Sequence, residues 1–131
     1  MRIFKTTWFV RFAGKEGIAD GELKEMVNQL EAGQTDADLG GGVYKIWVAR
    51  PDEGKSGGYR VIVFFRSVER TVYVYGFTKS DRANISRKEL AKLKKQADSL
   101  LFMSNVQIEA ALREGVLNEV QEARYGSEIS K

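Results

Sequence analysis

Apolar and polar positions divide the chain into a helical start, a β-rich middle and a helical end. In the opening "MRIFKTTWFVRFAGKEG", Phe4, Thr6, Trp8, Val10 and Phe12 share a period of two, while Trp8, Phe9 and Phe12 also suit one face of a helix opened by Thr6 or Thr7. A strand followed by a short helix satisfies both patterns. Behind Asp20, a residue type that caps helices, Leu23, Met26, Val27 and Leu30 recur at helical spacing until Gly33 ends the run. "QTDADLGGG" then breaks the order. From Val43 the chain turns strand-like: "VYKIWVAR" sets Val43, Lys45, Trp47 and Ala49 on one face and Tyr44, Ile46 and Val48 on the other. "YRVIVFFR" and "TVYVYGF" follow, joined by "SVER", so residues 43–77 are expected to form a three-stranded antiparallel meander.

Ser86 with Glu89 has the spacing of a capping box, and Leu90, Leu93, Ala97, Leu100 and Leu101 give the helix behind it an apolar stripe. Ser104 with Gln107 repeats the cap before a last helix that ends near Gly115. The polar tail from about residue 120 is expected to fray. Helices on either side of a run of antiparallel strands make an α+β domain, with the second face of the sheet left for helices or for function. At 131 residues the chain is expected to be a single domain with one core.

The net charge of +3 is too small to indicate a nucleic-acid partner by itself. Its distribution is more telling, because 13 basic residues stand against 5 acidic ones between Val43 and Lys95. The chain has no Cys, which removes disulfides, thiolate metal sites and thiol nucleophiles. It also has no His, so both the commonest metal ligand and the commonest general base are missing, and catalysis must run on Lys, Arg, Tyr or carboxylates. No cofactor is called for. The N-terminal apolar patch is short and interrupted by Lys5 and Arg11, unlike a signal peptide or a membrane span, so a soluble cytoplasmic protein is expected.

"ARPDEGKS" satisfies a permissive phosphate-loop pattern. That loop works only when a helix begins at its Lys and Ser and aims backbone amides at the phosphates. Here "GGYRVIVFF" follows, a poor helix start, and Pro51 deletes an amide. The pattern is read as chance. A stronger signal lies in what the loop joins. Strand geometry can bring Lys45, Arg60, and Lys79 and Arg82 just past the third strand, to one end of the sheet, with Lys55 above them. Such a cluster repels itself unless an anion is bound, and a phosphodiester is the obvious anion; solvated strand-end charges are the plainer alternative.

"DADLGGGVYKIWVARPDEGKSGGYRVIVFFR" followed by "VYGFTKSDRANIS" resembles the RelE/ParE superfamily of bacterial toxin–antitoxin toxins, most closely its HigB-like RelE branch. The resemblance runs from about Phe4 to Val120. It implies a RelE-like compact α+β fold: an N-terminal strand, two helices, the meander and C-terminal helices. It also implies a ribosome-dependent mRNA endonuclease or, in the ParE branch, an inhibitor of DNA gyrase, neutralised by a cognate antitoxin that in HigB-like relatives is usually of helix-turn-helix type. Carried over by residue, Lys45 corresponds to the base for the ribose 2′-hydroxyl, Arg60 to the group bracing the scissile phosphate, and Lys79 or Arg82 to the cation at the leaving oxygen. Clustered cations stabilise a pentavalent phosphorane electrostatically, which suits a chain without His.

Lys55 and Tyr59 would assist in RNA binding, and Arg87, Lys88, Lys92, Lys94 and Lys95 would meet ribosomal RNA phosphates unless they form only a solvated face. The sequence departs from the family at Trp47, where some members carry a second Lys, and at Ile85 and Ser86, where a Tyr would follow Arg82. A half-buried strand Trp is more often core than a platform for a base, and core is the expectation for Trp47. A non-toxic RNA-binding module of the same fold is a further alternative.

Overall fold

A computed structural model describes residues 1–50, 54–78 and 85–120, and the side chains of Arg50 and residues 54–57 lie outside that description. The chain runs β1 (Arg2–Thr6), α1 (Thr7–Glu16), α2 (Asp20–Glu31), β2 (Ala37–Gly40), β3 (Val43–Arg50), β4 (Gly54–Arg66), β5 (Arg70–Thr78), α3 (Arg87–Leu101), α4 (Asn105–Arg113) and β6 (Leu117–Glu119). The six strands form one sheet in the order β2-β3-β4-β5-β1-β6. Only β1 with β5 is parallel in this sheet; the other ladders are antiparallel. The α+β layout and the 43–77 meander agree with the sequence pattern.

Thr6 settles the double pattern at the start. Its hydroxyl accepts from the Phe9 amide at 3.2 Å and donates to the Val74 carbonyl at 2.8 Å, so one residue ends β1, caps α1 and ties both to β5. Gly17, at φ +75°, closes α1 as only glycine does without strain. Asp20 is not the cap of the next helix: Ala19 holds that position without a side-chain bond, and Asp20 sits in the first turn, where its carboxylate accepts from Lys5 Nζ at 2.7 Å. Both expected capping boxes are present, at Ser86/Glu89 and Ser104/Gln107.

Both faces of the sheet are covered by helices, so two apolar layers flank it. On one side Phe9 and Ala13 of α1 and Leu23, Met26, Val27 and Leu30 of α2 pack on Ile46, Val61, Val63 and Tyr73. On the other, Ala97 and Leu101 of α3 and Ile108 and Ala111 of α4 pack on Phe4, Val43, Ile62, Phe64 and Val72. The α2 stripe is therefore core. Tyr73 donates to the Leu23 carbonyl at 2.6 Å inside the first layer. Burial pushes its phenol pKa far up, so this tyrosine stays neutral and has no acid–base role. Gly76 is required by packing, since a Cβ there would run into the Phe12 ring.

Two strands depart from expectation. β2 falls inside "QTDADLGGG", and β6 follows the last helix. Each is too short to show a period and exists through its neighbour: Asp36 N donates to Lys45 O at 2.8 Å beside β2, and Val120 N to Ile3 O at 2.8 Å beside β6.

The β4–β5 turn is held from α2. Val68 adopts φ +57°, a left-handed conformation costly for a β-branched residue. The Glu31 carboxylate accepts from Ser67 Oγ at 2.6 Å and from the Val68 amide at 2.7 Å, fixing that turn. The Ser67 bond, followed by the Val68 bond, holds the Glu31 carboxyl below its ordinary value of 4.5. A carboxyl with a lowered folded pKa stabilises fully above its unfolded pKa and loses that contribution as pH falls through the folded value. Urea midpoints of wild type and Glu31→Gln should therefore separate at neutral pH and converge in strongly acidic solution; a constant gap would mean that ionisation is not what the turn uses.

Candidate nucleic-acid interface

The sheet face beneath α3 changes character along β3 and β4. Val43 and Phe64, then Ile62, are fully covered. Further along, Lys45, Trp47 and Arg60 emerge half-buried or exposed, as polar or amphipathic side chains do where a covering helix no longer reaches. The register pairs Lys45 with Ile62 and Trp47 with Arg60, so Lys45 and Arg60 are diagonal neighbours on one face, about 7 Å apart by strand geometry.

Arg60 is fixed by two groups. Its Nε lies 3.1 Å from Asp36 Oδ2, and its guanidinium carbon stands 5.9 Å from the Trp47 ring centroid. Nη1 is buried and has no acceptor among the described residues, although the side chain as a whole is 25% exposed. A buried charged donor without an acceptor costs at least about 1–3 kcal/mol, and it is the exposed part of the side chain that a ligand with oxygen acceptors can meet. Asp36 had no local signal in the sequence. It reaches Arg60 because the chain enters β2 antiparallel to β3, with Asp36 hydrogen-bonded to Lys45 and Ala37 across from it.

Tyr59 does not join this group. Strand alternation puts it on the opposite face from Arg60, where it is 3% exposed and meets Phe12 edge-on at 5.7 Å. Lys79 and Arg82 lie outside the described residues, as does the Lys55 side chain, though β4 begins at Gly54. A strand where a phosphate loop would need its helix removes the nucleotide-loop reading. Trp47 is not core: it belongs to neither apolar layer and is 36% exposed.

Arg87, Lys88, Lys92, Lys94 and Lys95 are exposed along α3. Lys94 folds along the β2–β3 turn, where a Cβ on Gly41 would stand 3.3 Å from its Cγ. A separate groove of about 780 Å³ runs between Thr7 and Trp8 of α1, Tyr75 of β5 and Leu93 and Lys92 of α3, away from Lys45 and Arg60. No helix among the described residues is long and apolar enough to cross a membrane.

The family model described as "RelE toxin of RelE / RelB toxin-antitoxin system" matches residues 1–120, and the chain belongs to that family. It is accordingly a toxin of a toxin–antitoxin system, and its family implies an antitoxin partner of RelB type. No curated protein matches the chain.

Proposed function

We propose that this RelE-family toxin is an endoribonuclease that cleaves mRNA on the ribosome, blocks translation and is silenced by a cognate antitoxin of helix-turn-helix type. The observation that carries the reading is Arg60: oriented by Asp36, beside Lys45, with a donor lacking an acceptor among the described residues. In this reading Lys45 removes the proton from the ribose 2′-hydroxyl, and the 2′-oxygen attacks the adjacent phosphorus. Arg60, held by Asp36, presents its partly exposed guanidinium to the non-bridging oxygens, whose negative charge grows in the pentavalent transition state. The bond to the 5′-oxygen breaks, Lys79 protonates that oxygen, or Lys79 or Arg82 stabilises its charge until it takes up a proton, and the products are a 2′,3′-cyclic phosphate and a 5′-hydroxyl. The exposed cations of α3 add a salt-dependent hold on ribosomal RNA phosphates.

Mapping mRNA 5′ ends across the transcriptome after induction tests this directly. New cuts linked to codon frame are the expected result. Growth arrest without cuts would transfer the activity to gyrase, which a supercoiling assay reads independently.

A further inference from the structure

Trp47 is the large apolar side chain on this face that neither layer of the core claims. Its position is built rather than incidental. On β4, two residues before Arg60, the ladder partner of Trp47, stands Gly58, and a Cβ there would lie 2.5 Å from the indole Nε1, 2.7 Å from Cε2 and 2.6 Å from the Val48 carbonyl. None of these approaches tolerates a side chain, so the glycine lets the indole lean over the backbone of β4. From the other direction the Arg60 guanidinium, held by Asp36, stands 5.9 Å from the ring centroid. An indole braced in this way keeps its orientation while remaining 36% exposed, beside the two cations assigned to the phosphodiester. Unpaired nucleobases stack on such aromatic and guanidinium planes.

We propose that Trp47, seated over Gly58 and flanked by Arg60, is the stacking platform for an unpaired nucleobase of the RNA next to the scissile phosphate, and that it makes cleavage selective for a purine there. A purine offers the indole the larger π surface, so it gains more from this contact than a pyrimidine. Trp47 acts in this way as a specificity-determining residue, whereas Lys45 and Arg60 handle the phosphate whatever the base. The proposal rests on the nuclease reading above.

The test uses the purified full chain with Trp8→Phe, which leaves Trp47 as the lone reporter of the two tryptophans. The probes are short single-stranded oligoribonucleotides with a 2′-deoxy sugar at the cut position, carrying a purine, a pyrimidine or an abasic site next to it. Trp47 fluorescence should be quenched most by the purine. Affinity should fall about 5- to 150-fold from purine to abasic, the range expected for one base–aromatic stack. Trp47→Ala should erase that difference between purine, pyrimidine and abasic probes, and its cuts in cells should lose their purine enrichment. Unquenched fluorescence at saturation, or an unchanged base preference in Trp47→Ala, overturns the stacking role and leaves the nuclease reading standing. A wild-type protein that neither cuts nor binds RNA defeats both.

Discussion

Arg60→Ala should yield a folded protein that no longer arrests growth, with mRNA cleavage reduced at least 100- to 1000-fold, the usual cost of removing one preorganised donor from a developing oxyanion. The fold should tolerate the change. Arg60 lies outside both apolar layers, its ion pair with Asp36 is partly exposed, and such pairs contribute about 0–1 kcal/mol. The variant also removes the Nη1 donor that has no acceptor among the described residues, which offsets part of that loss. Thermal unfolding of the purified variant should match wild type within a few degrees. Arg60→Lys separates charge from geometry: a lysine keeps the cation but not the fork that Asp36 orients, so most of the activity should still be lost. Growth arrest and cleavage at wild-type levels in Arg60→Ala, with the protein shown to be produced, would refute the catalytic assignment.

The largest effect on stability away from the core should come from Arg70→Met. Arg70 leaves β5 and donates from Nη1 to the carbonyls of Leu100 and Met103, both at 2.9 Å, where α3 ends and has no hydrogen-bond partners of its own to offer those groups. Arg66 adds a longer bond of 3.4 Å to Leu101 and places its guanidinium 4.4 Å from the Phe102 ring centroid. Two cations at a helix C-terminus also complement its dipole. The site is confined enough that burial, followed by the nearby charges of Arg66 and Arg2, draws the Arg70 pKa downward, yet a guanidinium keeps its proton throughout the working range. Methionine preserves much of the stem volume and removes both donors. With charge-assisted bonds worth about 1.5–3 kcal/mol each, and partial exposure lowering their sum, a loss of about 2–4 kcal/mol is expected. Denaturant midpoints measure it, and amide exchange should quicken first at the end of α3. A loss below about 0.5 kcal/mol would mean that water replaces the arginine without cost.

How much of this was legible in the sequence depends on the range of the interaction involved. The helices were readable because their signals are local: Ser86 and Glu89, or Ser104 and Gln107, meet within one turn. β3, β4 and β5 were readable because each is long enough to show its alternation. β2 and β6 were not, since each is fixed by a partner strand that the linear pattern does not identify. The candidate site divides along the same line. Lys45 and Arg60 share a face by strand parity, and the same parity sends Tyr59 to the opposite face, a signal present in "GYR" that was available. Asp36 gives no such sign, because its bond to Arg60 crosses β3 and depends on where β2 lies. Trp47 was read as core from its residue type. Its actual place follows from Gly58, whose relevance appears only once the register between β3 and β4 is known.

β1 lies between β5 and β6, with Phe4 opposite Val72 on one side and Glu119 on the other. A growing polypeptide therefore makes β1 long before either neighbour exists, and β6 only after every other strand of the sheet. Arg2 underlines the dependence, because its side chain bonds Glu119 at 2.9 Å. Closing such a long loop is slow compared with forming the helices. Synthesis thus imposes a delay: the toxin's sheet is complete only once β6 has been made, and fragments that end before it leave one side of β1 unzipped.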